Sequence, residues 1–176
     1  MAMPFIVPCV MYSTDAEKAA NFYVAVFSEI FGDGSILSLK RWGELELKAL
    51  ERLPEEHRPF KVGGVSYVRV RLNGQELLLG NGGPYFKFND AVSLYAVCED
   101  QRQLDALWAR LTADGGQEVE CGWLIDRFGV RWQLSTRSVQ ALLEGKDEGA
   151  AERASVAILN MKKIETKDVE NAARGN

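Results

Sequence analysis

The segment VSYVRVRLNGQELLL, residues 65–79, contains the clearest structural signal in this sequence. It holds two short apolar runs, Val65–Leu72 and Glu76–Leu79, which have the length and composition of β-strands. Asn73-Gly74 stands between them, and this dipeptide is the strongest short-range indicator of a β-hairpin. The segment therefore predicts two antiparallel strands joined by a tight turn.

Upstream of the hairpin, the sequence predicts a strand, a helix and a second strand. The apolar run Phe5–Tyr12 contains Pro8, which cannot donate a hydrogen bond to a neighbouring strand and therefore favours a position near a sheet edge. Side chains suited to an N-cap follow at Ser13-Thr14-Asp15, and Ala16–Phe31 repeats apolar residues every three or four positions. This pattern predicts an amphipathic helix, after which Ile36–Trp42 forms the next short strand.

Downstream of the hairpin, the same order of elements returns. Ala91–Cys98 predicts a strand, and Asp100 can cap a helix that extends to Gly115-Gly116. Two further strands are predicted at Val119–Ile125 and Val130–Ser135. Because both halves place a helix after a first strand and then continue in short strands, the sequence predicts an α+β fold with an internal repeat.

The C-terminal part of the chain follows a different pattern. It is rich in Ala, Glu and Lys, and its apolar residues have helical spacing, which predicts two or three short helices. An apolar stripe on such helices needs a surface to cover, either the sheets or a second subunit. The predicted organisation is residues 1–84 for a first module, 85–137 for a second module and 138–176 for a helical extension, within one compact unit.

Composition excludes several classes of function. Of the 176 residues, 47% are hydrophobic and 26% are charged, which is typical of a soluble globular protein. The formal net charge of -4 provides no basic field for nucleic acid or anionic lipid. The start of the sequence lacks the features of a signal peptide, and no apolar stretch reaches the ~20 residues of a membrane helix. We therefore expect a cytoplasmic protein without nucleic-acid or membrane partners.

The connector NGGPYFKFND, residues 81–90, carries three large aromatic rings where a connector between modules is usually polar. Two interpretations stay open. The rings of Tyr85, Phe86 and Phe88 could fill a gap between the two modules. Alternatively, they could line the mouth of a ligand cavity, with Lys87 and Asn89 as hydrogen-bond donors.

Four segments together carry a family resemblance: AEKAANFYVAVF (16–27), NGQELLLGNGGPYFKFNDAVSL (73–94), CGWLIDRFGVRWQL (121–134) and AERASVAILNMKKI (151–164). They resemble the PhnB-like branch of the vicinal oxygen chelate superfamily, the glyoxalase/bleomycin-resistance fold often labelled 3-demethylubiquinone-9 3-methyltransferase. The resemblance implies two βαβββ modules, each curling its sheet into a half-open barrel, and usually a homodimer. It also implies, for the enzymes of the superfamily, a divalent metal held by side chains at four strand positions.

This sequence departs from that metal-binding pattern. The four positions, normally His, Gln or Glu, fall at about Pro8, Leu78, Val92 and Gln133, with Ser93 as the polar neighbour of the third. Only Gln133 offers a suitable lone pair, whereas a hard cation needs several oxygen or nitrogen ligands. We therefore expect no bound metal and no cofactor.

Other groups that could carry catalysis are scarce. The single histidine, His57, lies in the charged segment Gly43–Gly63 and is predicted to be a surface residue. Cys9, Cys98 and Cys121 have no neighbour that would activate a thiolate, so they are predicted to be small buried side chains. No catalytic residue is assigned from the sequence.

The leading hypothesis is a protein of this branch that binds a small molecule in a metal-free, aromatic-lined cavity. One alternative is a metal-dependent lyase, isomerase or dioxygenase with its ligands at other positions, and another is a non-catalytic interaction protein that acts as a dimer. The three tryptophans among the candidate residues are equally compatible with a packed core. The candidate ligand-binding residues are Met11, Trp42, Tyr67, Tyr85, Phe86, Lys87, Phe88, Asn89, Tyr95, Trp123, Trp132 and Gln133.

Overall fold

A computed structural model of the protein describes residues 6–175 and divides into two compact units, one that ends at Lys87 and one that begins at Phe88. Each unit contains one mixed four-stranded sheet, and the fold is α+β as predicted. Within the described residues, no helix has the length and apolar character needed to cross a membrane.

The first unit has the order strand, helix and three strands. Its sheet is arranged β1-β4-β3-β2, with β1 parallel to β4 at one edge and the other pairs antiparallel. The edge position of β1 agrees with the prediction from Pro8. The elements are β1 (Cys9–Tyr12), α1 (Ala16–Phe31), β2 (Gly34–Arg41), α2 (Glu44–Leu50), a 3-10 turn (Glu55–His57), β3 (Val65–Leu72) and β4 (Gln75–Asn81).

The core of the first unit lies between α1 and one face of the sheet. Tyr23 and Val26 of α1 and Val68 and Leu79 of the strands are fully buried. Because side chains alternate between the two faces of a strand, the intervening residues point away from α1. We call the side that they form the distal face of the first sheet.

The second unit repeats this order and adds three helices. Its sheet is arranged β5-β8-β7-β6, and α3 packs on the buried side of that sheet. The elements are β5 (Leu94–Cys98), α3 (Gln101–Thr112), β6 (Gln117–Glu118), β7 (Trp123–Ile125), β8 (Arg131–Thr136), α4 (Arg137–Leu143), α5 (Glu148–Leu159) and α6 (Thr166–Arg174).

One predicted strand of the second unit is wrong. Val119–Ile125 is not continuous, because Cys121 and Gly122 have φ angles of 60° and 81°, in the left-handed region that interrupts an extended chain. The break produces the separate two-residue strand β6, which pairs with β7. The second module therefore has four strands, as the resemblance implies.

Two other predicted strands are shorter than expected. The N-terminal one begins at Cys9, while Phe5 lies outside the described residues. The one predicted from Ala91 begins at Leu94, because the Asn89 side chain accepts a hydrogen bond from the Ala91 N–H at 2.9 Å and forms a turn there.

The C-terminal helices pack on the second unit. Val139, Ala154 and Val169, one from each helix, are fully buried. The loop between α5 and α6 docks on the break between β6 and β7, where its carbonyls at Met161 and Lys162 each accept a backbone N–H at 2.6 Å. The helical extension is thus confirmed, and it has three helices.

Candidate functional site

The distal face of the first sheet combines charged and apolar side chains in register. Directly paired residues of neighbouring strands point to the same side of a sheet. One row crosses the strands β2, β3, β4 and β1 as Ser38, Arg69, Leu78 and Cys9. The next row contains Lys40, Tyr67, Gly80 and Met11.

From the sequence, the first metal-ligand position implied by the resemblance is expected at about Pro8. The pairing of β1 with β4 indicates Cys9 instead, one residue later. Leu78 pairs with Cys9, so the Cys9 side chain shares its face, whereas Pro8 contributes only a carbonyl that accepts the Leu78 N–H at 3.0 Å. In the second unit, Gln133 Nε2 donates to Ser93 Oγ at 2.7 Å, while Val92 is 75% exposed. The side chains at or beside the four positions that the resemblance implies are therefore Cys9 and Leu78 in one unit and Ser93 and Gln133 in the other.

These side chains do not fit a divalent metal. Leu78 offers no lone pair, and partial burial raises the pKa of the Cys9 thiol, which keeps it protonated and weakens it as a ligand. Ser93 and Gln133 offer only neutral oxygens, and the Ser93 hydroxyl oxygen already accepts a hydrogen bond from Gln133 Nε2. Among residues 6–175, no three His, Cys, Asp or Glu side chains group as metal ligands.

Met11 and Phe86 lie over two glycines at the end of the distal face. A Cβ atom added at Gly80 would lie 2.8 Å from Met11 Sδ, and one added at Gly82 would lie 2.4 Å from the Phe86 ring and 2.6 Å from Met11 Cε. The absence of side chains at the two glycines therefore creates the space that these larger residues occupy. Phe86 remains 52% exposed, so its ring borders this end of the face.

The segment between β2 and β3 packs against the connector through aromatic rings. The centroid of the His57 ring lies 3.9 Å from that of Tyr85 in the connector, and within the β2–β3 segment itself the ring centroids of Trp42 and Phe60 lie 5.1 Å apart. His57 is half-buried, because Tyr85 covers its ring, so it is less exposed than an ordinary surface histidine. His57 Nδ1 and Trp42 Nε1 are buried and have no hydrogen-bond partner among the described residues.

The polar residues of the connector have different surroundings. Lys87 is exposed and forms no hydrogen bond or ion pair within the described part of the chain. Asn89 uses its side-chain oxygen in the local turn to Ala91. Phe88 is half-buried, and its ring would lie 3.3 Å from a Cβ atom at Gly129, within the second unit.

A buried ion pair on the distal face was not identified from the sequence. Arg69 Nε lies 3.4 Å from Glu76 Oε2, and their side chains are only 15% and 9% exposed. Neither atom has a hydrogen-bond partner among the described residues. The only sequence signal was the presence of charged residues inside strands that are otherwise apolar.

The candidate residues of the second unit divide between the two sides of its sheet. Tyr95 and Trp123 are both partners of Gln133 in the strand register, so these three share the side turned away from α3. The Tyr95 hydroxyl donates to Gln140 Oε1 at 2.9 Å. Trp132 is 3% exposed and points to the buried side of the sheet. There its Nε1–H donates a hydrogen bond to Asp126 Oδ2 at 2.9 Å.

The cysteines offer no activated thiolate. Burial, with a smaller contribution from the nearby Asp100 carboxylate, raises the pKa of Cys98 to about 12. Cys9 is exposed rather than buried as predicted, and Cys121 is half-exposed at the left-handed turn. At neutral pH the Cys98 thiol is therefore protonated and unreactive.

Comparisons with known proteins agree with this architecture. The model of the family described as 3-demethylubiquinone-9 3-methyltransferase matches residues 4–135. The chain is similar to the PhnB protein of Bacillus cereus, with 30% identity over 76% of this chain and 99% of that one and a TM-score of 0.59. A protein from Pseudomonas aeruginosa has the same fold, with 15% identity over 76% of this chain and 98% of that one and a TM-score of 0.55.

A further structural neighbour is a glyoxalase/bleomycin resistance protein from Albidiferax ferrireducens, with 16% identity over 74% of this chain and 97% of that one and a TM-score of 0.44. No curated protein matches the chain.

Proposed function

The chain belongs to the family described as 3-demethylubiquinone-9 3-methyltransferase, the PhnB-like branch of the vicinal oxygen chelate superfamily, and we propose that it is a metal-independent small-molecule-binding protein. The proposed site is the distal face of the first sheet next to the connector. The observation that carries this proposal is the pairing of Leu78 with Cys9 where metal-dependent relatives need charged or strongly coordinating ligands.

The distal face has the chemical character of a site for an organic ligand. Met11, Tyr67 and Leu78 are half-buried and provide apolar surface, and the exposed ring of Phe86 extends it at one end. Ligand sites commonly combine such surface with a few polar groups that fix orientation. In the second unit, Tyr95, Trp123 and Gln133 offer a comparable combination on their own side of that sheet.

The structure provides no support for binding of a nucleotide-derived methyl donor between β1 and α1. Such donors usually bind at a glycine-rich turn, where the N-terminus of a helix accepts the charged part of the ligand. Here, residues 13–15 are Ser, Thr and Asp, and the first N–H of α1, at Ala16, donates to the Asn81 side chain at 2.9 Å. The family description therefore does not by itself assign methyl transfer to this chain.

Replacing Phe86 with alanine should weaken ligand binding more than it lowers stability, because the ring is half-exposed and borders the proposed site. We expect at least one of phenol, catechol, benzamide and benzoate to bind the full chain. Loss of one aromatic contact should reduce that affinity about three- to tenfold. Isothermal titration calorimetry would measure the affinity, and circular dichroism the melting temperature.

Leu45→Ala is a matched control, because Leu45 is an 84% exposed apolar residue of α2 outside the proposed site. It should leave the affinity unchanged. EDTA should change neither the affinity nor the melting temperature, since no metal contributes to the folded state. Failure of all four probes to bind, or elemental analysis that finds about one metal per chain, would contradict the proposal.

We also propose that the protein is a homodimer. In the described part of the chain, β2 pairs only with β3, and Ile36 and Leu39 on this edge strand are 41% and 37% exposed. An unprotected strand edge with apolar side chains favours association with a second copy. Light scattering at micromolar concentration should give twice the chain mass of 19.6 kDa, and a mass equal to one chain would refute the dimer.

A further inference from the structure

We infer that the ligand of the first unit carries a carboxylate group and that Arg69 binds it. This inference rests on the proposed function and specifies the chemical class of the ligand. One ion pair on the distal face differs in burial from the other ion pairs formed by neighbouring strand residues.

The Arg69–Glu76 pair is more deeply buried than its neighbours. Its side chains are 15% and 9% exposed, whereas every side chain in the other pairs of β2 and β3 is at least 35% exposed. Those exposed pairs are ordinary surface contacts that contribute little to stability. They are Lys40–Glu46, Arg41–Glu17 and Arg71–Asp33.

The buried pair is also poorly satisfied. Arg69 Nε and Glu76 Oε2 lie 3.4 Å apart without forming a hydrogen bond, and neither has another partner among the described residues. By contrast, Arg71 on the same strand donates a hydrogen bond to Asp33 at 3.1 Å. Burying two charges costs free energy that only well-formed hydrogen bonds recover, so this arrangement does not serve folding alone.

A ligand carboxylate would supply the missing interactions of Arg69. A guanidinium group has five N–H donors in one plane, and two of them match the two oxygens of a carboxylate. Glu76 approaches the guanidinium only through the 3.4 Å contact with Nε, and its charge compensates that of Arg69 when no ligand is bound. The Glu76 carboxylate therefore lowers the electrostatic free energy of placing the Arg69 guanidinium on the distal face in the absence of ligand.

The residues around Arg69 suit the organic part of such a ligand. In the strand register, Leu78 lies beside Arg69 on one side and Ser38 on the other. Tyr67, two residues earlier on the same strand, points to the same face. A small organic acid could therefore place its carboxylate on Arg69 and its apolar portion along Tyr67 and Leu78.

The test compares acids with their neutral amides on the full chain. Benzoate and phenylacetate should bind at least about tenfold more tightly than benzamide and phenylacetamide, because a hydrogen bond to a charged group exceeds a neutral one by this amount. Arg69→Gln should abolish this preference, whereas Arg71→Gln should retain it. Glu76→Gln should increase the affinity for the acids, because it removes the competing carboxylate.

Single replacements in a buried ion pair can impair folding, so a second variant is needed. The double variant Arg69→Gln/Glu76→Gln removes both charges with little change of volume and leaves no uncompensated buried ion. It should remain folded, retain binding of the amides and lose the preference for acids. The shift of the Arg69 Nε–H signal on addition of benzoate, followed by nuclear magnetic resonance, would report the contact directly.

The outcomes distinguish this inference from the proposed function. Equal binding of acids and amides, or an acid preference that persists in the double variant, overturns the role of Arg69 but leaves small-molecule binding intact. If neither acids nor amides bind the wild-type chain, the inference is overturned, and the proposed function is overturned with it when phenol and catechol also fail to bind. An acid preference that disappears only in the variants of Arg69 supports both.

Discussion

A chain that ends at Thr136, without the three C-terminal helices, is expected to aggregate or to melt at a temperature more than about 10 °C lower than the full chain. The deletion removes buried apolar residues, including Val139, Ile164 and Val169, and each fully buried side chain contributes about 1.5–3 kcal/mol. It also exposes the apolar surface on which they pack. Solubility after expression and thermal unfolding followed by circular dichroism would measure the effect.

Specific polar contacts support this expectation. The Gln101 side chain of α3 donates to the Ile164 carbonyl at 3.0 Å and accepts the Thr166 N–H at 2.8 Å. Lys163 forms an ion pair with Asp105 of the same helix. The helices are therefore part of the second unit, although the family match ends at residue 135.

A smaller change provides the control for this deletion. Lys167→Ala alters an exposed residue of α6 and should shift the melting temperature by no more than about 1 °C. If the shortened chain is soluble and as stable as the full chain, the helices are an independent appendage and the expectation is wrong.

Local sequence patterns predicted most of the fold, because local interactions determine those elements. The apolar repeat of Ala16–Phe31 and the turn at Asn73-Gly74 identify a helix and a hairpin wherever they occur in a chain. The strand Val65–Leu72 likewise has the predicted bounds. The strand break at Cys121 and Gly122 was not predicted, because no sequence pattern indicates that a cysteine adopts the left-handed backbone conformation.

The candidate site was less predictable, because its geometry depends on contacts between distant residues. Counting along the sequence placed the first metal-ligand position at about Pro8, whereas the parallel register of β1 and β4 pairs Cys9 with Leu78. A shift of one residue in a strand exchanges the face on which the side chain lies. For the same reason, the sequence showed Arg69 and Glu76 as charged residues but could not show that they meet and are buried.

Asp126→Ala is expected to destabilise the protein by about 3 kcal/mol or more, which corresponds to a fall of about 6–12 °C in melting temperature. Asp126 is 2% exposed and lies in the turn between β7 and β8. Its Oδ1 accepts the N–H groups of Phe128 at 2.9 Å and Val130 at 3.0 Å, and its Oδ2 accepts Trp132 Nε1. Alanine would remove this carboxylate as the acceptor of all three N–H groups.

A double-mutant cycle identifies which of these bonds matters. Trp132→Phe removes the indole N–H, so Asp126→Ala should cost less free energy in that background than in the wild-type chain. Asp90→Ala is the matched control, because the Asp90 side chain is 80% exposed and its ion pair with Arg131 is a surface contact. Chemical denaturation would give the four free energies of unfolding of the cycle and that of the Asp90→Ala control. If Asp126→Ala is no more destabilising than Asp90→Ala, the carboxylate does not hold the turn.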